Sequence, residues 1–190
     1  MLHECLFCSE LNSLVMDFFE VEGYYDAAEK FAQECTNLPS QPDSETVLFM
    51  RKRAEIRSCI TGGDIDRSIQ LINEYNPEIL DHNQRLFFTL QQQKLVELIR
   101  CERLEEALEF AQDDLAPLAE ENAEFLEQLE RTMALLAFDL KANEAVVEVL
   151  NPLNRQRVAH QVNEALLESS GREKESKLLS LLKLLAWGQT

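Results

Sequence analysis

The sequence predicts an all-α fold, an array of antiparallel helical hairpins similar to an α-solenoid. From Leu11 onward, apolar residues recur at intervals of three and four, the period of helices that bury one face. Glycine and proline are scarce, with five of each in 190 residues, and they fall between the periodic segments. No run of alternating β-branched residues indicates a strand. The chain is therefore predicted to consist of helices joined by turns and short linkers.

Composition excludes several classes of protein. With 45% hydrophobic residues, the chain can bury the core of one compact domain or a short array. It has no window of about 18 apolar residues that would predict a membrane span. The N-terminal segment carries Glu4 and no cationic region, so it does not resemble a signal peptide. Five cysteines, an odd number, do not indicate a secreted disulfide framework. We expect a soluble intracellular protein.

The chain is strongly acidic, with a formal net charge of -17. This charge argues against a nucleic-acid surface, which needs clustered Lys and Arg, and against binding to anionic membranes. Between Glu102 and Glu130 there are eleven acidic residues and one basic residue, Arg103. The stretch predicts either a solvated helix face or a docking surface for a basic partner protein.

The first predicted hairpin spans residues 11–34. Its first helix has an apolar stripe at i, i+3, i+4 and i+7 with an aromatic neighbour: Leu11, Leu14, Val15, Phe18 and Phe19. Gly23 can adopt the left-handed conformation that ends a helix. The second helix repeats the spacing with Tyr25, Ala28, Phe31, Ala32 and Cys35. Residues 37–45 carry two prolines and capping residues, which predict a linker.

The remaining helices follow from the same signals. Helix-stopping and capping residues divide the chain into predicted helices at about 45–61, from Asp64 through Ile72, from 81–83 to about 101, at about 105–115, around 125–136, at 143–150, between Pro152 and Gly171, and at 176–187. Pro117 is expected to end the helix at 105–115. Asn76-Pro77 and Asn151-Pro152 each pair a cap with a proline suited to the first helical position.

A faint repeat of about 40 residues supports stacked hairpins. "GYYDAAEKFA" (23–32), "GDIDRSIQLI" (63–72) and "ERLEEALEFA" (102–111) align at offsets of 40 and 39 residues. The small residues Ser68 and Ala107 occupy equivalent positions, where they would let paired helices approach closely. Convergence of unrelated amphipathic helices on the same pattern is the alternative.

Both ends of the chain carry more apolar surface than they can shield. Aromatic residues crowd the first hairpin, at positions 18, 19, 24 and 25 above all, and the final helix is apolar on nearly all sides. Each therefore needs cover from the rest of the chain or from a second chain. We predict that the first hairpin and the last helix meet and that the remaining face is a protein interface. The predicted interface residues are Leu11, Leu14, Val15, Phe18, Phe19, Tyr24, Tyr25, Phe31, Leu181, Leu182, Leu185 and Trp187.

Three consecutive glutamines, Gln91, Gln92 and Gln93, lie in the middle of a predicted helix. They are good helix formers that suit a solvated face. Their amides would equally serve to bind backbone groups at an interface between helices. We include them among the candidate interface residues.

Residues that could carry chemistry are few. Cys5 and Cys8, with His3, have spacing that suits zinc, but a fourth ligand is missing nearby, so no metal site is predicted. His160 and Glu164 share a helix face without an evident nucleophile, and an exposed pair is favoured over a hydrolase site. Phosphate-binding loops and the common hydrolase and calcium motifs are absent. We predict no cofactor and no enzymatic activity.

Three segments of the chain resemble known motifs in a fixed order. Residues 11–34 resemble a LisH motif, with matches at Leu11, Leu14, Val15, Phe18, Phe19, Gly23, Tyr24, Ala27, Ala28, Phe31 and Glu34. Residues 46–103 resemble a CTLH segment. Residues 104–190 resemble a CRA domain, notably in "ALEFAQDDLAP", "LERTMALLAFD" and "SKLLSLLKLLAWGQ". The predicted domains are thus a LisH dimerisation motif at 11–40, CTLH at 46–103 and CRA at 104–190, an order that resembles the scaffold members of the LisH–CTLH–CRA family.

This resemblance implies a non-catalytic scaffold or adaptor subunit of a GID/CTLH-type E3 ubiquitin ligase. Such a subunit holds others through two helical interfaces, LisH with the end of CRA and CTLH with the start of CRA, for ubiquitin-dependent protein degradation. The implied partners are a Ran-binding-protein-M-like subunit, an armadillo-repeat subunit and RING subunits, in the cytoplasm and nucleus. The alternative is a LisH-mediated homodimer that regulates transcription or microtubule organisation outside a ligase.

Overall fold

The computed structural model describes residues 2–35, 43–120, 122–137 and 151–189, with the backbone alone described for residues 2–8 and 135–137. Regular structure in these residues is helical throughout, which confirms the predicted all-α class. The helices are α1 (Leu2–Glu22), α2 (Tyr25–Glu34), α3 (Ser44–Gly62), α4 (Ile65–Tyr75), α5 (Glu78–Asp81), α6 (Gln84–Arg100), α7 (Leu104–Phe110), a π-helix (Ala111–Leu115), α8 (Ala116–Glu120), α9 (Ala123–Ala137), α10 (Leu153–Ser169) and α11 (Lys177–Trp187). The segment predicted at 143–150 lies outside the described residues.

The chain divides into two compact units. Unit 1 combines Met1–Arg57 with Asn163–Thr190, and unit 2 comprises Ser58–Val162. The boundaries fall within α3 and within α10. Unit 1 is therefore made from both ends of the chain, and unit 2 from its middle.

The core of unit 1 is small and is built around the first hairpin. Met16 of α1, Ala28 of α2 and Met50 of α3 are buried together, and partly buried Phe19 and Phe31 pack against them. The helix α1 begins at Leu2, nine residues before the start predicted from the apolar stripe. Residues 2–10 contain no glycine, proline or helix stop, so the helix extends in the N-terminal direction.

The core of unit 2 is centred on α6. Phe88, Leu95 and Ile99 of α6 pack against buried residues of the three following helical segments and of α9: Ala107, Ala111, Leu115, Ala119, Phe125 and Leu129. The rings of Phe88 and Phe125 stack with centroids 4.4 Å apart. None of the helices in the described residues is both long and apolar enough to cross a bilayer.

Among the described residues four helix ends share one geometry: the end of α10 at Gly171 and the three that start the aligned repeats. At Gly23, Gly63 and Glu102 the backbone has a positive φ of 73°, 90° and 58°. The next residue in each case donates its backbone N–H to the carbonyl five residues back, as in Tyr24 to Phe19 at 2.9 Å. This is the Schellman ending of a helix. A new helix begins at the following residue, so each repeat starts at the turn between two consecutive helices.

The same position in each repeat carries a small buried residue. Ala28, Ser68 and Ala107 are 2%, 0% and 0% exposed, and the Ser68 hydroxyl donates to the carbonyl of Ile65 at 2.7 Å. A larger side chain would separate the helices that meet there. The three repeats therefore share a helix-end geometry and a small buried residue at the same position.

Pro117 does not end a helix, contrary to the sequence prediction. The chain remains helical to Glu120 because residues 111–115 form a π-helix, in which the N–H of Ala116 donates to the carbonyl of Ala111. The wider turn makes room for the proline ring, which in a regular α-helix clashes with the carbonyl four residues back. Leu108 is 43% exposed, whereas Ala107, Ala111 and Leu115 are buried.

Glu102 provides a test of the helix-end geometry. A non-glycine residue at positive φ is strained, so Glu102→Gly should raise the free energy of unfolding by about 0.5–1 kcal/mol. Denaturant titration followed by circular dichroism measures the change. The matched control is Gly63→Ala, where an added Cβ would lie 2.8 Å from Arg155 Nη2, and stability should fall. A Glu102→Gly variant less stable than the parent would contradict this account.

Candidate protein-interaction surface

The last helix leaves most of its apolar side chains uncovered. α11 has eleven residues, and none of its side chains is buried. Five large apolar residues are between 44% and 80% exposed: Leu181, Leu182, Leu184, Leu185 and Trp187. The sequence predicted that such a helix is covered on all sides. A group of exposed large apolar side chains is a candidate interaction site.

α11 packs against α1, so the first hairpin and the last helix meet as predicted. Asp17 of α1 accepts a hydrogen bond from the backbone N–H of Lys177, with an N···Oδ2 distance of 2.8 Å. Ser176 is the N-cap residue and accepts from the N–H of Leu179 at 3.3 Å. Leu11, on an earlier turn of α1, is 47% exposed. We call the exposed apolar residues of α11, together with Leu11, the assembly surface.

The C-terminal end of α1 is held by three side chains that we call the α1 clamp: Arg53, Arg57 and Asn163. Arg53 donates to the carbonyls of Glu20 and Val21, the latter at 3.0 Å, and Asn163 also donates to Val21, at 2.9 Å. Arg57 donates to the carbonyl of Glu22 at 2.9 Å. These carbonyls have no partner within the helix, and the helix dipole favours positive charge beside them.

Arg53 is the centre of the α1 clamp. Its side chain is almost completely buried, with 4% of the residue exposed, and it also donates to Asn163 Oδ1 at 2.7 Å. Its guanidinium lies over the ring of Phe49, 4.7 Å from the centroid. Gly23 lies directly beside the clamp, where an added Cβ would be 3.3 Å from Asn163 Oδ1. The hydrogen bonds and the ring compensate for the burial of the charge.

Two tyrosines predicted as interface residues are held by arginines of α3. Arg57 donates to the hydroxyl of Tyr24 at 3.1 Å and lies 4.5 Å from its ring centroid. Arg51 donates to the hydroxyl of Tyr25 at 3.1 Å, and that hydroxyl donates to Glu29 at 3.0 Å. Sequence reasoning missed the role of these arginines. The signal was the basic run from Arg51 to Arg57 in a strongly acidic chain.

The other predicted residues of the first hairpin are half-buried within unit 1: Leu14, Val15, Phe18, Phe19 and Phe31. The ring of Phe18 lies 5.9 Å from that of Phe19 and 6.1 Å from that of Tyr24, which is 39% exposed. The hairpin thus shields part of its own aromatic surface. On α11, by contrast, Leu181, Leu182, Leu185 and Trp187 are mainly exposed.

The three glutamines lie in unit 2, apart in sequence from the assembly surface. Gln92 donates to the backbone carbonyl of Gln128 at 3.3 Å and to Thr132 Oγ1 at 2.9 Å, which joins α6 to α9. Gln93 is buried and donates to Glu97 at 2.6 Å. Gln91 is half-buried. Two of the three side-chain amides therefore donate hydrogen bonds to groups on helices of the same chain.

Glu97 forms a largely buried ion pair with Arg155 in unit 2. Arg155 donates to both carboxylate oxygens, at 2.8 and 2.5 Å, and to the carbonyl of Thr61 at 3.1 Å. Burial alone would raise the pKa of Glu97, but hydrogen bonds from Arg155 and Gln93 outweigh this effect, so the pKa lies below its ordinary value. The pair joins α6 to α10 and to the end of α3.

The acidic stretch borders a groove in unit 2 with a volume of about 380 Å³. The groove is lined by carboxylates and by two apolar side chains: Asp66, Glu106, Glu109, Asp113, Asp114, Leu98 and Phe110. Its Lys94 pairs with Asp66 at 2.7 Å and lies 4.6 Å from the centroid of Phe110, and Arg103 pairs with Glu106. Docking of a basic partner at this stretch stays a prediction.

Among the described residues no group of three or more His, Cys, Asp or Glu side chains is arranged to hold a metal ion. The side chains of His3, Cys5 and Cys8 lie outside the described residues. His160 is exposed and Glu164 is half-buried on α10.

The sequence matches two family descriptions in a fixed order. Residues 9–34 match LisH, and residues 49–190 match the "CTLH/CRA C-terminal to LisH motif domain". The chain is 48% identical to "Protein GID8 homolog" of Arabidopsis thaliana over 181 residues, which cover 95% of this chain and 73% of that protein. It is 40% identical to "GID complex subunit 8" of Schizosaccharomyces pombe over 190 residues, 94% of this chain and 77% of that protein.

A more distant relative is "Ran-binding protein M homolog" of Arabidopsis thaliana. It is 27% identical over 172 residues, which cover 85% of this chain and 37% of that protein. The similarity thus extends over most of the present chain and over a minor part of a longer relative.

The α1 clamp predicts a difference between two arginines of the same helix. Arg53→Met keeps the apolar stem but leaves the carbonyls of Glu20 and Val21 without charged donors, so the free energy of unfolding should fall by about 2–4 kcal/mol. Arg51→Met removes an exposed contact with Tyr25 and should cost less than about 1 kcal/mol. Denaturant titration of both variants measures the difference, and equal losses would contradict the role of the clamp.

The Glu97–Arg155 pair predicts a pH dependence of stability. The pKa of Glu97 is lowered in the folded state. The contribution of Glu97 to the free energy of unfolding is therefore complete above its ordinary pKa of 4.5 and is lost as the pH falls through the folded-state value. Glu97→Gln should lower the free energy of unfolding by about 1–3 kcal/mol at pH 7. The difference between the two proteins should shrink toward pH 3, as measured by unfolding at each pH. A difference that grows on acidification would refute this assignment.

Proposed function

The chain belongs to the family in which a LisH motif precedes a CTLH/CRA domain and is a subunit of the GID/CTLH type, and we propose that it acts there as a non-catalytic scaffold. In this role it holds other subunits of an E3 ubiquitin ligase together for ubiquitin-dependent protein degradation. The chemistry of ubiquitin transfer belongs to RING subunits of the assembly. The proposed locations are the cytoplasm and the nucleus.

The observation that carries this proposal is the assembly surface of unit 1. Five large apolar side chains of α11 face solvent, beside an α1 helix that belongs to the LisH match. Burial of apolar area supplies about 25 cal/mol per Å², and stable interfaces bury roughly 1,200–2,000 Å² in total. The proposed occupant is the LisH-bearing region of another subunit, because a second pair of such helices would offer a matching apolar face.

A scaffold needs a second place to bind, and unit 2 supplies a candidate. Four large apolar residues of α7, α8 and α9 are exposed there: Leu104, Leu108, Leu118 and Leu126. They belong to the CTLH/CRA match and lie in the acidic stretch. We assign to the two surfaces together the binding of a Ran-binding-protein-M-like subunit, an armadillo-repeat subunit and, through such subunits, the RING pair.

The proposal predicts that charge on α11 breaks assembly without unfolding the chain. Leu182→Asp combined with Leu185→Asp places two carboxylates on residues that are 52% and 62% exposed, so helical content should change little. In the assembly the same carboxylates would be buried unpaired, and binding should weaken at least about a hundredfold. Affinity purification with mass spectrometry measures partner recovery, and circular dichroism checks the fold.

Leu153→Asp is the matched control, since it changes to the same acid a leucine of unit 2 that is 53% exposed and belongs to neither surface. It should retain the subunit bound at the assembly surface. Unchanged recovery of every partner by the α11 variant would refute the proposal. Recovery of second copies of the chain alone, without RING or armadillo-repeat subunits, would favour the homodimer outside a ligase.

A further inference from the structure

α11 packs on α1, but the side chains of its second half are mainly exposed. It has eleven residues, none of them buried, and isolated helices shorter than about 12–15 residues are marginal in water. Its apolar side chains from Leu181 onward are mainly exposed. The position of α11 in the free chain therefore depends on its contacts with α1, and its first turn is held there by a hydrogen bond to Asp17.

The first turn of α11 has two polar attachments with different consequences. The first N–H groups of a helix lack partners within the helix. Ser176, which is fully buried, accepts from the N–H of Leu179, and this bond is internal to α11 and its cap. Asp17 accepts from the N–H of Lys177 at 2.8 Å and comes from α1, 160 residues away in sequence. Ser176 thus stabilises the helix itself, whereas Asp17 ties its end to another helix.

We propose that Asp17 is a positioning residue that holds the N-terminal end of α11 on α1, so that helices from the two ends of the chain present one preformed assembly surface. The carboxylate suits this task because it is favoured at a helix N-terminus and forms a charge-assisted hydrogen bond. The Lys177 ammonium adds a weaker contact, with Nζ 3.9 Å from Asp17 Oδ1. Only the expected effect on partner binding rests on the proposed function, and the role of Asp17 in holding α11 on α1 does not.

The consequence follows from the cost of ordering. A partner that binds a preformed surface loses less free energy than one that must first order a helix. Without the Asp17 bond α11 can pivot or fray at the end nearest α1, and the leucines of the assembly surface lose their fixed placement. Removal of Asp17 should therefore weaken assembly even though the side chain itself is not one of the exposed apolar residues.

The test compares Asp17→Ala with Asp17→Asn in the full chain. Hydrogen exchange followed by mass spectrometry should show the amides of residues 179–185 exchanging about tenfold faster in Asp17→Ala. Asp17→Asn keeps an acceptor oxygen and should show a smaller change. Glu34→Ala, which removes an exposed carboxylate at the end of α2, should leave exchange in α11 unchanged. The midpoint of global unfolding should be similar in all three variants.

Binding is measured on the same proteins with the partner recovered through the assembly surface. Asp17→Ala should raise the dissociation constant about tenfold, with partial recovery in Asp17→Asn. Unchanged exchange in α11 would overturn the positioning role, whatever the binding result. Faster exchange with an unchanged dissociation constant would overturn its consequence for assembly. Failure of the parent chain to bind any subunit would count against the proposed function, while the exchange data would still decide the role of Asp17.

Discussion

The contact of Arg53 with the end of α1 is the interaction on which unit 1 depends. A buried guanidinium is costly unless its surroundings accept hydrogen bonds or favour positive charge. Here two carbonyls at the negative end of a helix dipole, the side-chain oxygen of Asn163 and the face of Phe49 provide those surroundings. The same contacts satisfy helix carbonyls that would otherwise lack partners. Arg53 and the end of α1 therefore stabilise each other.

The α1 clamp also explains why the two ends of the chain meet. Asn163 lies 110 residues from Arg53 in sequence and 142 from Val21, yet it contacts both. It brings the second half of α10 to the turn at Gly23. The chain then continues to Ser176 and α11, which reaches Asp17 two turns back along α1. One helix of the LisH match thus serves as the support for the C-terminal helix.

The exposed helix α11 and the high net charge of the chain are physically related. Five large apolar side chains on one short helix would promote non-specific association of a neutral protein. A net charge of -17 opposes contact between like copies over a distance of about one Debye length, about 8 Å at physiological salt. The charge acts against indiscriminate association, while burial of the leucines favours a partner of the right shape. Selective assembly is consistent with both features.

Sequence alone determined the helices, their turns and the apolar character of both chain ends, because these signals lie within one or two helical turns. The stripe of α1, the ending at Gly23 and the equivalent positions of Ala28, Ser68 and Ala107 are examples. Tertiary structure decided which apolar residues stay exposed, the burial of Arg53, the bond from Asp17 to α11 and the π-helix that carries the chain past Pro117. Those outcomes depend on contacts between groups far apart in sequence, or on packing around the π-helix. The spacing of apolar residues along a helix does not predict which distant side chain will bind an unpaired backbone group.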